Sequence, residues 1–364
     1  MEKRKILIVS RAFHPLIAPR AFRATELAKE FARQGHNVTV ITHKRDFDYD
    51  SYSKQHNFEI KDFAKGKWKD IPQTNIVFKI FRKILNYLFL FPDIQLTKMV
   101  KNALKNENDY DLLISIAVPY PVHWGVARAI KKNKNLTKTW VADCGDPFMG
   151  SKETILKMPF YFKYVENWFC NKPNFLTVPI PEAIEAYPEK CRNKIRVIPQ
   201  GFNFEENTFN NEITKNTIPT FAYAGGLSKG VRDPHQFLEF LSKINIDFRF
   251  YIFTKNQNLI TPFSKRLANK LIISDYIPRE QLMEKFKKVD FLLNIENLNS
   301  IQSPSKLIDY ALSKKPILSI SPNKLDEKKV NKFLNGDYSD NFVIKDIEQY
   351  NISNVARNFI KLNE

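Results

Sequence analysis

Short β-branched runs alternate with helical patterns twice along this chain, and a polar stretch divides the two series. That alternation constrains the fold more than any other feature, because a strand, helix, strand crossover within one sheet is parallel and right-handed. The first series opens with a strand at Lys5–Ser10, a helix at Ala21–Arg33 and a strand at Asn37–Thr42. Phe22, Leu27 and Phe31 carry the helical spacing, and Gly35 stands where a left-handed residue ends a helix. An irregular basic stretch is expected from His43 to about Asn75, then helices at 76–91 and about 94–106. Strands at Asp111–Ile116, Thr139–Ala142, Asn174–Val178 and Lys194–Ile198, with a helix at Val122–Lys131, complete the series.

The aperiodic segment Asn203–Asn216 reads as a linker. Beyond it, strands are expected at Thr220–Ala224, Phe248–Phe253, Ile272–Asp275, Phe291–Ile295 and Pro316–Ser319. Helices are expected at Pro234–Ile244, Arg279–Lys287 and Ser305–Ser313, with an amphipathic helix at the C-terminal end, 350–363. Two domains suit 364 residues. The expected class is α/β: two doubly wound, Rossmann-like domains facing a cleft at the carboxyl ends of their strands, where ligands of such sheets bind.

Charge is uneven between the halves. Residues 1–200 hold 34 Lys and Arg against 20 Asp and Glu, a balance of +14, while residues 201–364 hold 23 against 19, a balance of +4. The first half is therefore the one expected to meet an anionic partner. Residues 54–105 carry 11 basic against 4 acidic side chains, interleaved with Phe63, Trp68, Phe78, Phe81, Tyr87, Phe89 and Phe91. Those aromatics either belong to a core or form a basic amphipathic surface that rests on anionic lipid. Nucleic acid is not expected, since no motif for it is present. The apolar part of Met1–Ser10 is too short for an export signal, and Lys79, Arg82 and Lys83 interrupt Ile76–Phe91, so neither secretion nor a membrane span is expected. Cys144, Cys170 and Cys191 fit no metal spacing and cannot pair evenly, which favours a reducing cytoplasm.

Dinucleotide and P-loop fingerprints are absent, as are H-E-x-x-H, C-x-x-C and G-x-S-x-G. Gly225-Gly226 follows directly on a strand and precedes a helix. Backbone N–H groups freed of neighbouring Cβ atoms can approach a phosphate there, with the helix N-terminus adding positive charge, and Lys229 and Arg232 lie in the same loop. An ordinary turn is the alternative. In Pro304-Ser305-Lys306-Leu307-Ile308-Asp309, Ser305 caps a helix and Lys306 enters its first turn, where a cation opposes the helix dipole unless an anion meets it. Asp309, one turn on, can accept two ribose hydroxyls or pair with Lys306 at i,i+3.

At this point the chain resembles bacterial glycosyltransferases of the GT-B fold, family 4, of the surface-polysaccharide type. The resemblance runs through Arg23–Thr42, Phe91-Pro92-Asp93, Asp143–Phe148, Ile198–Phe202, Tyr223–Gly230 and Pro304–Leu318. It implies an acceptor-binding domain at 1–202, with the C-terminal helix of 350–364 packing back on it, and a nucleotide-sugar-binding domain at 203–349. It implies retaining, metal-independent transfer with no cofactor, the nucleotide-sugar being a substrate. Carried over by position, Gly225, Gly226 and Lys229 meet the donor diphosphate, joined by Lys306, with Arg232 a nearby second cation and Ser305 beside them on the donor side. Asp309 takes the place of the second acid of the family's E-x7-E pair. Ile301 stands where the first acid is expected, with Glu296 or Gln302 as substitutes.

The chemistry fits those residue types. Breaking the bond to a diphosphate leaving group builds charge on its oxygens, and fixed cations aimed there stabilise the transition state more than the ground state. No metal is needed where Lys and Arg supply the charge, and no D-x-D triplet is present. In the first half, His123 could bond the donor sugar or steer the acceptor hydroxyl, or be structural. Asp143 and Asp146 follow a strand, where one could position the acceptor, or cap the loop. Arg23 could reach an anionic acceptor. The expected catalytic set is His123, Asp146, Lys229 and Lys306, with Arg23 and Asp143 on the acceptor. The expected partners are a nucleotide-sugar, a lipid-linked glycan and an anionic membrane surface reached through residues 54–105, at the inner face of the cytoplasmic membrane. A nucleotide-sugar 2-epimerase and a non-enzymatic basic module are the alternatives, the first disfavoured by the N-terminal charge.

Overall fold

The computed structural model describes residues 2–63, 69–150, 158–204, 216–296 and 305–364. The chain divides into two compact units, Met1–Asn203 with Gln349–Glu364, and Phe204–Glu348. The first unit runs β1 (Lys5–Ser10), α1 (Pro19–Arg33), β2 (Asn37–Thr42), α2 (Tyr49–His56), β3 (Glu59–Asp62), α3 (Ile76–Phe89) and α4 (Leu96–Ala103). It continues with β4 (Tyr110–Ala117), α5 (Pro121–Lys132), β5 (Thr137–Cys144), α6 (Phe162–Cys170), β6 (Phe175–Val178) and β7 (Ile195–Val197). The second runs β8 (Thr220–Ala224), α7 (His235–Lys243), β9 (Arg249–Phe253), α8 (Thr261–Leu267), β10 (Leu271–Ser274) and α9 (Arg279–Lys287). It ends with β11 (Phe291–Ile295), α10 (Ser305–Leu312), β12 (Ile317–Ile320) and α11 (Glu327–Leu334), after which α12 (Ile352–Lys361) returns to the first unit.

Both sheets are doubly wound. The first has the order β3-β2-β1-β4-β5-β6-β7 and the second β10-β9-β8-β11-β12, and the strand pairs are parallel. In the first, Ile6, Ile8, Val40 and Ile114 are buried together with Leu27 and Phe31 of α1 and Val355 and Phe359 of α12. The C-terminal helix thus completes one face of the first core. Gly35, with φ at +88°, ends α1 in the left-handed region. In the second unit the rings of Phe250, Phe221 and Phe291 stack across three neighbouring strands, with centroids 4.5 and 4.6 Å apart. Such aromatic pairs add ~0.5–1.5 kcal/mol each beyond area burial and hold β8 in register. The strand order reverses between β8 and β11, and the carboxyl ends of strands at such a switch point are where ligands of doubly wound sheets bind.

The stretch after β2 departs from expectation. Its middle is regular: Asp48 caps α2 by accepting from the Ser51 N–H at 3.0 Å, Tyr49 and Tyr52 are buried, and Ile60 of β3 pairs opposite Val40, while 43–48 and 69–75 carry neither helix nor strand. The two readings of residues 54–105 also separate here. Phe63 is buried, whereas not one residue of α3 is, and Ile76, Val77, Phe78, Ile80, Phe81, Ile84 and Phe89 are all exposed. Trp68 and the segment 205–215 of the expected linker lie outside the described residues.

Candidate functional site

The second unit gathers its site at the carboxyl end of β8. The Gly225 N–H continues the ladder by donating to the Phe253 carbonyl at 3.0 Å, and its φ of +148° lies in the range that favours glycine. A Cβ there would stand 3.2 Å from Lys306 Cδ and 3.3 Å from its Nζ. The missing side chain is what lets the lysine lie against the backbone. α10 delivers that lysine in register, because the Tyr310 hydroxyl accepts from the Ala224 N–H at 2.8 Å and donates to the Ala224 carbonyl at 3.3 Å.

Lys306 is the unusual member. Its Nζ is buried, has no hydrogen-bond partner among the described residues, and lies 4.2 Å from the centroid of the Tyr223 ring. Burial first and the Arg232 guanidinium second bring its amine down to about 7. Two cations thus converge on a glycine loop. The Tyr223 hydroxyl donates to the Gly226 carbonyl at 2.9 Å, and the Tyr276 hydroxyl lies 3.7 Å from where a Gly226 Cβ would be. The loop folds back through paired backbone hydrogen bonds between Ser228 and Arg232, at 3.1 and 2.9 Å.

Other expected members are placed differently. At the α7 N-terminus the Asp233 carboxylate already accepts from the His235 N–H at 3.0 Å and from the Gly230 N–H at 3.2 Å. Lys229 is exposed at the loop's tip, on a shallow groove shared with Asp233 and Phe263. Asp309 does not pair with Lys306; Arg279 at the start of α9 holds its Oδ1 through Nε at 2.8 Å and Nη2 at 2.7 Å. Burial raises the Asp309 carboxyl against the pull of that guanidinium. Glu296, exposed at the end of β11, accepts from the Ser319 hydroxyl at 3.0 Å. Ile301, Gln302, Pro304 and the Ser305 side chain lie outside the described residues, although Ser305 opens α10.

In the first unit the polar candidates are spent on one another. Arg23 donates from Nε and Nη2 to the two oxygens of Asp143 at 3.1 and 3.0 Å, and also to the carbonyls of Pro199 at 2.5 Å and Ile198 at 3.2 Å. Thr177 donates to Asp143 as well, at 2.8 Å, and the Arg23 guanidinium packs 5.0 Å from the Phe359 ring centroid. Burial pushes the Asp143 carboxyl up, but Arg23 and Arg20 outweigh it and hold it below its ordinary value. The pair ties α1, β5, β6 and α12 together. Both side chains are thus engaged within the unit itself.

His123 is likewise engaged within the unit. It is completely buried, its Nδ1 lies 2.8 Å from the Ser115 hydroxyl, its Nε2 lies 3.6 Å from Cys144 Sγ, and its ring stacks on Phe169 at 5.0 Å. Burial pushes its imidazole down to about 3. The imidazole is therefore neutral and enclosed in the first unit's core. Asp146 is exposed after β5, and its backbone carbonyl accepts from the Tyr120 hydroxyl at 2.8 Å.

Two doubly wound units of parallel strands with flanking helices are the architecture of the GT-B fold. The comparisons agree. The Glycosyltransferase Family 4 model matches residues 21–206, so the chain belongs to that family and is a glycosyltransferase. Among solved structures, a glycosyltransferase from Rickettsia africae is similar at 14% identity and a TM-score of 0.62, covering 100% of this chain and 95% of its own. The lipopolysaccharide outer core galactosyltransferase WaaB is similar at 13% identity and 0.59, covering 98% of each chain. Anabaena HepE, solved with UDP and glucose, is similar at 13% and 0.58, covering 99% of this chain and 97% of its own. A sequence comparison with curated proteins finds no match.

Proposed function

We propose that the enzyme moves a sugar from a nucleotide-sugar to a lipid-linked or polysaccharide acceptor in surface-glycan synthesis, with retention and without a metal. The observation that carries the reading is the Lys306 ammonium, buried beside Gly225 and without an acceptor among the described residues. A diphosphate supplies the missing anion, and Arg232 the second positive charge. In the transition state the leaving oxygens gain charge at that point, so the two cations do the work a divalent ion does elsewhere. Asp309, steadied by Arg279, is the carboxylate that stands ready for ribose hydroxyls. HepE was solved with UDP, so UDP-sugars head the donor panel to be screened by thermal shift. Lys306→Ala should lower turnover by ~10²–10³-fold in a transfer assay with the donor that shifts most. Unchanged turnover would end this reading.

The membrane part of the proposal rests on α3. Its exposed apolar stripe continues to Phe160, Tyr164 and Trp168, which are 78, 70 and 38% exposed, and the Tyr161 hydroxyl donates to the Leu88 carbonyl. Lys79 and Lys83 are exposed on the helix, while Arg82 is engaged by Asp70 at 2.7 Å. No described helix is long and apolar enough to cross a membrane. A surface helix of this kind lies in the headgroup plane of the inner leaflet. Ile80→Glu with Phe81→Glu should reduce sedimentation with anionic liposomes more than Lys79→Glu with Lys83→Glu does, because each buried large apolar side chain contributes ~1.5–3 kcal/mol against ~1 kcal/mol per near-surface lysine. Equal binding by all three proteins would remove α3 from the membrane contact.

A further inference from the structure

We propose that Lys306 is the proton-accepting group of this site, so that docking of a diphosphate draws a proton from solvent onto its amine; the inference rests on the diphosphate reading above. The geometry makes the case. The amine lies over the Tyr223 ring at 4.2 Å with no hydrogen-bond acceptor among the described residues. A buried ammonium loses its hydration, and without an acceptor nothing local replaces it.

The charged and titratable groups around it offer no relief. Arg232, from the loop after β8, repels it. Asp309, on its own helix, is taken by Arg279 of α9, and Glu296, at the end of β11, by Ser319. The Tyr223, Tyr276 and Tyr310 hydroxyls, from β8, the segment after β10 and α10, are all raised by burial and stay neutral at physiological pH. With the site empty, the amine titrates at about 7. A diphosphate brings the counter-charge and restores the ordinary lysine range. Between those two values, binding and protonation are a single linked event: the amine gains a proton that solvent supplies, and no other bond changes.

The test uses sulfate, whose charge is fixed between pH 6 and 9, and UDP-glucose, whose uracil stays neutral up to about pH 8, so that pH dependence within those ranges belongs to the protein. Calorimetric affinities for the full chain should be nearly flat up to pH 7 and then weaken roughly tenfold per pH unit. Lys306→Arg keeps a cation that does not titrate, so its profile should be flat across the whole range. Lys306→Met should bind weakly and without slope, with circular dichroism confirming that it is folded. A flat wild-type profile overturns the inference while leaving the diphosphate reading standing. A slope that survives in Lys306→Arg places the titrating group elsewhere and likewise overturns it. Failure of both probes to bind the wild-type protein brings down the diphosphate reading and the inference together.

Discussion

Each unit carries cations near the carboxyl ends of its strands, and the two sets are in opposite states. In the first, Arg23 finds a full complement of acceptors in Asp143, Pro199 and Ile198. In the second, Lys306 is buried as well and finds none among the described residues. The same residue classes in the same part of a doubly wound sheet therefore make a fastener in one unit and, in the function proposed above, a receptor in the other. What separates the two is whether the chain supplies its own counter-charge.

The largest effect should follow from breaking the fastener. Arg23→Met leaves the Asp143 carboxylate buried against Thr177 and the more distant Arg20, whose Nη1 is 3.5 Å away. Removing one partner of a buried pair costs ~3–5 kcal/mol, because the other charge remains without compensation. Denaturant unfolding should register that loss in the first unit. The nucleotide-dependent thermal shift of the fraction still folded should persist. An unfolding midpoint within error of wild type would show the pair to be dispensable.

An intermediate effect belongs to His123. Its folded-state imidazole titrates at about 3, well below the 6.5 of an exposed histidine. Between those values the unfolded chain binds a proton that the folded chain refuses. Stability from this group is therefore complete above pH 6.5 and is lost as the pH falls toward 3, at ~1.4 kcal/mol per unit. His123→Phe should flatten that part of the stability curve, measured by urea unfolding between pH 4.5 and 7. The comparison sharpens here too, since the first unit turns a titratable group neutral by burying it within its own contacts. A curve unchanged by the substitution would show that other groups carry the acid sensitivity.

These contrasts explain what could be read in advance. β8 and β11 were legible to the residue because TFAYA and FLLNI are near-continuous apolar runs, each with one polar residue, buried on both faces of a parallel sheet. α2 and β3 were not, because their order depends on partners distant in sequence: Tyr52 stacks on His14 at 4.5 Å, and Ile60 pairs with Val40. The same division runs through the site. Gly225, Gly226, Arg232 and Lys306 announce themselves locally, as small residues after a strand and cations at a loop and a helix start. Arg23 and Asp143 have the right types for a site, yet pair across 120 positions, and residue type carries no record of a partner. Arg279 escaped notice for that reason, its carboxylate standing 30 positions away. Tyr223 had a local signal, since it shares a face with Phe221 and lies two residues before Gly225.

The smallest effect is the most pointed, because its sign is opposite to that of Arg23. Lys306→Met replaces an unpaired buried amine with an apolar chain of similar length, lying over the same Tyr223 ring. Stability of the empty protein should then rise, by on the order of 1 kcal/mol, because no unsolvated amine remains to be held in place. In a unit of this size that is a gain of ~2–4 °C in midpoint. The stabilisation that a nucleotide-sugar gives the wild-type protein should shrink in the same variant. A residue retained at a cost to the empty fold is retained for what it binds, and a variant less stable than wild type would show instead that Lys306 is a fastener like Arg23.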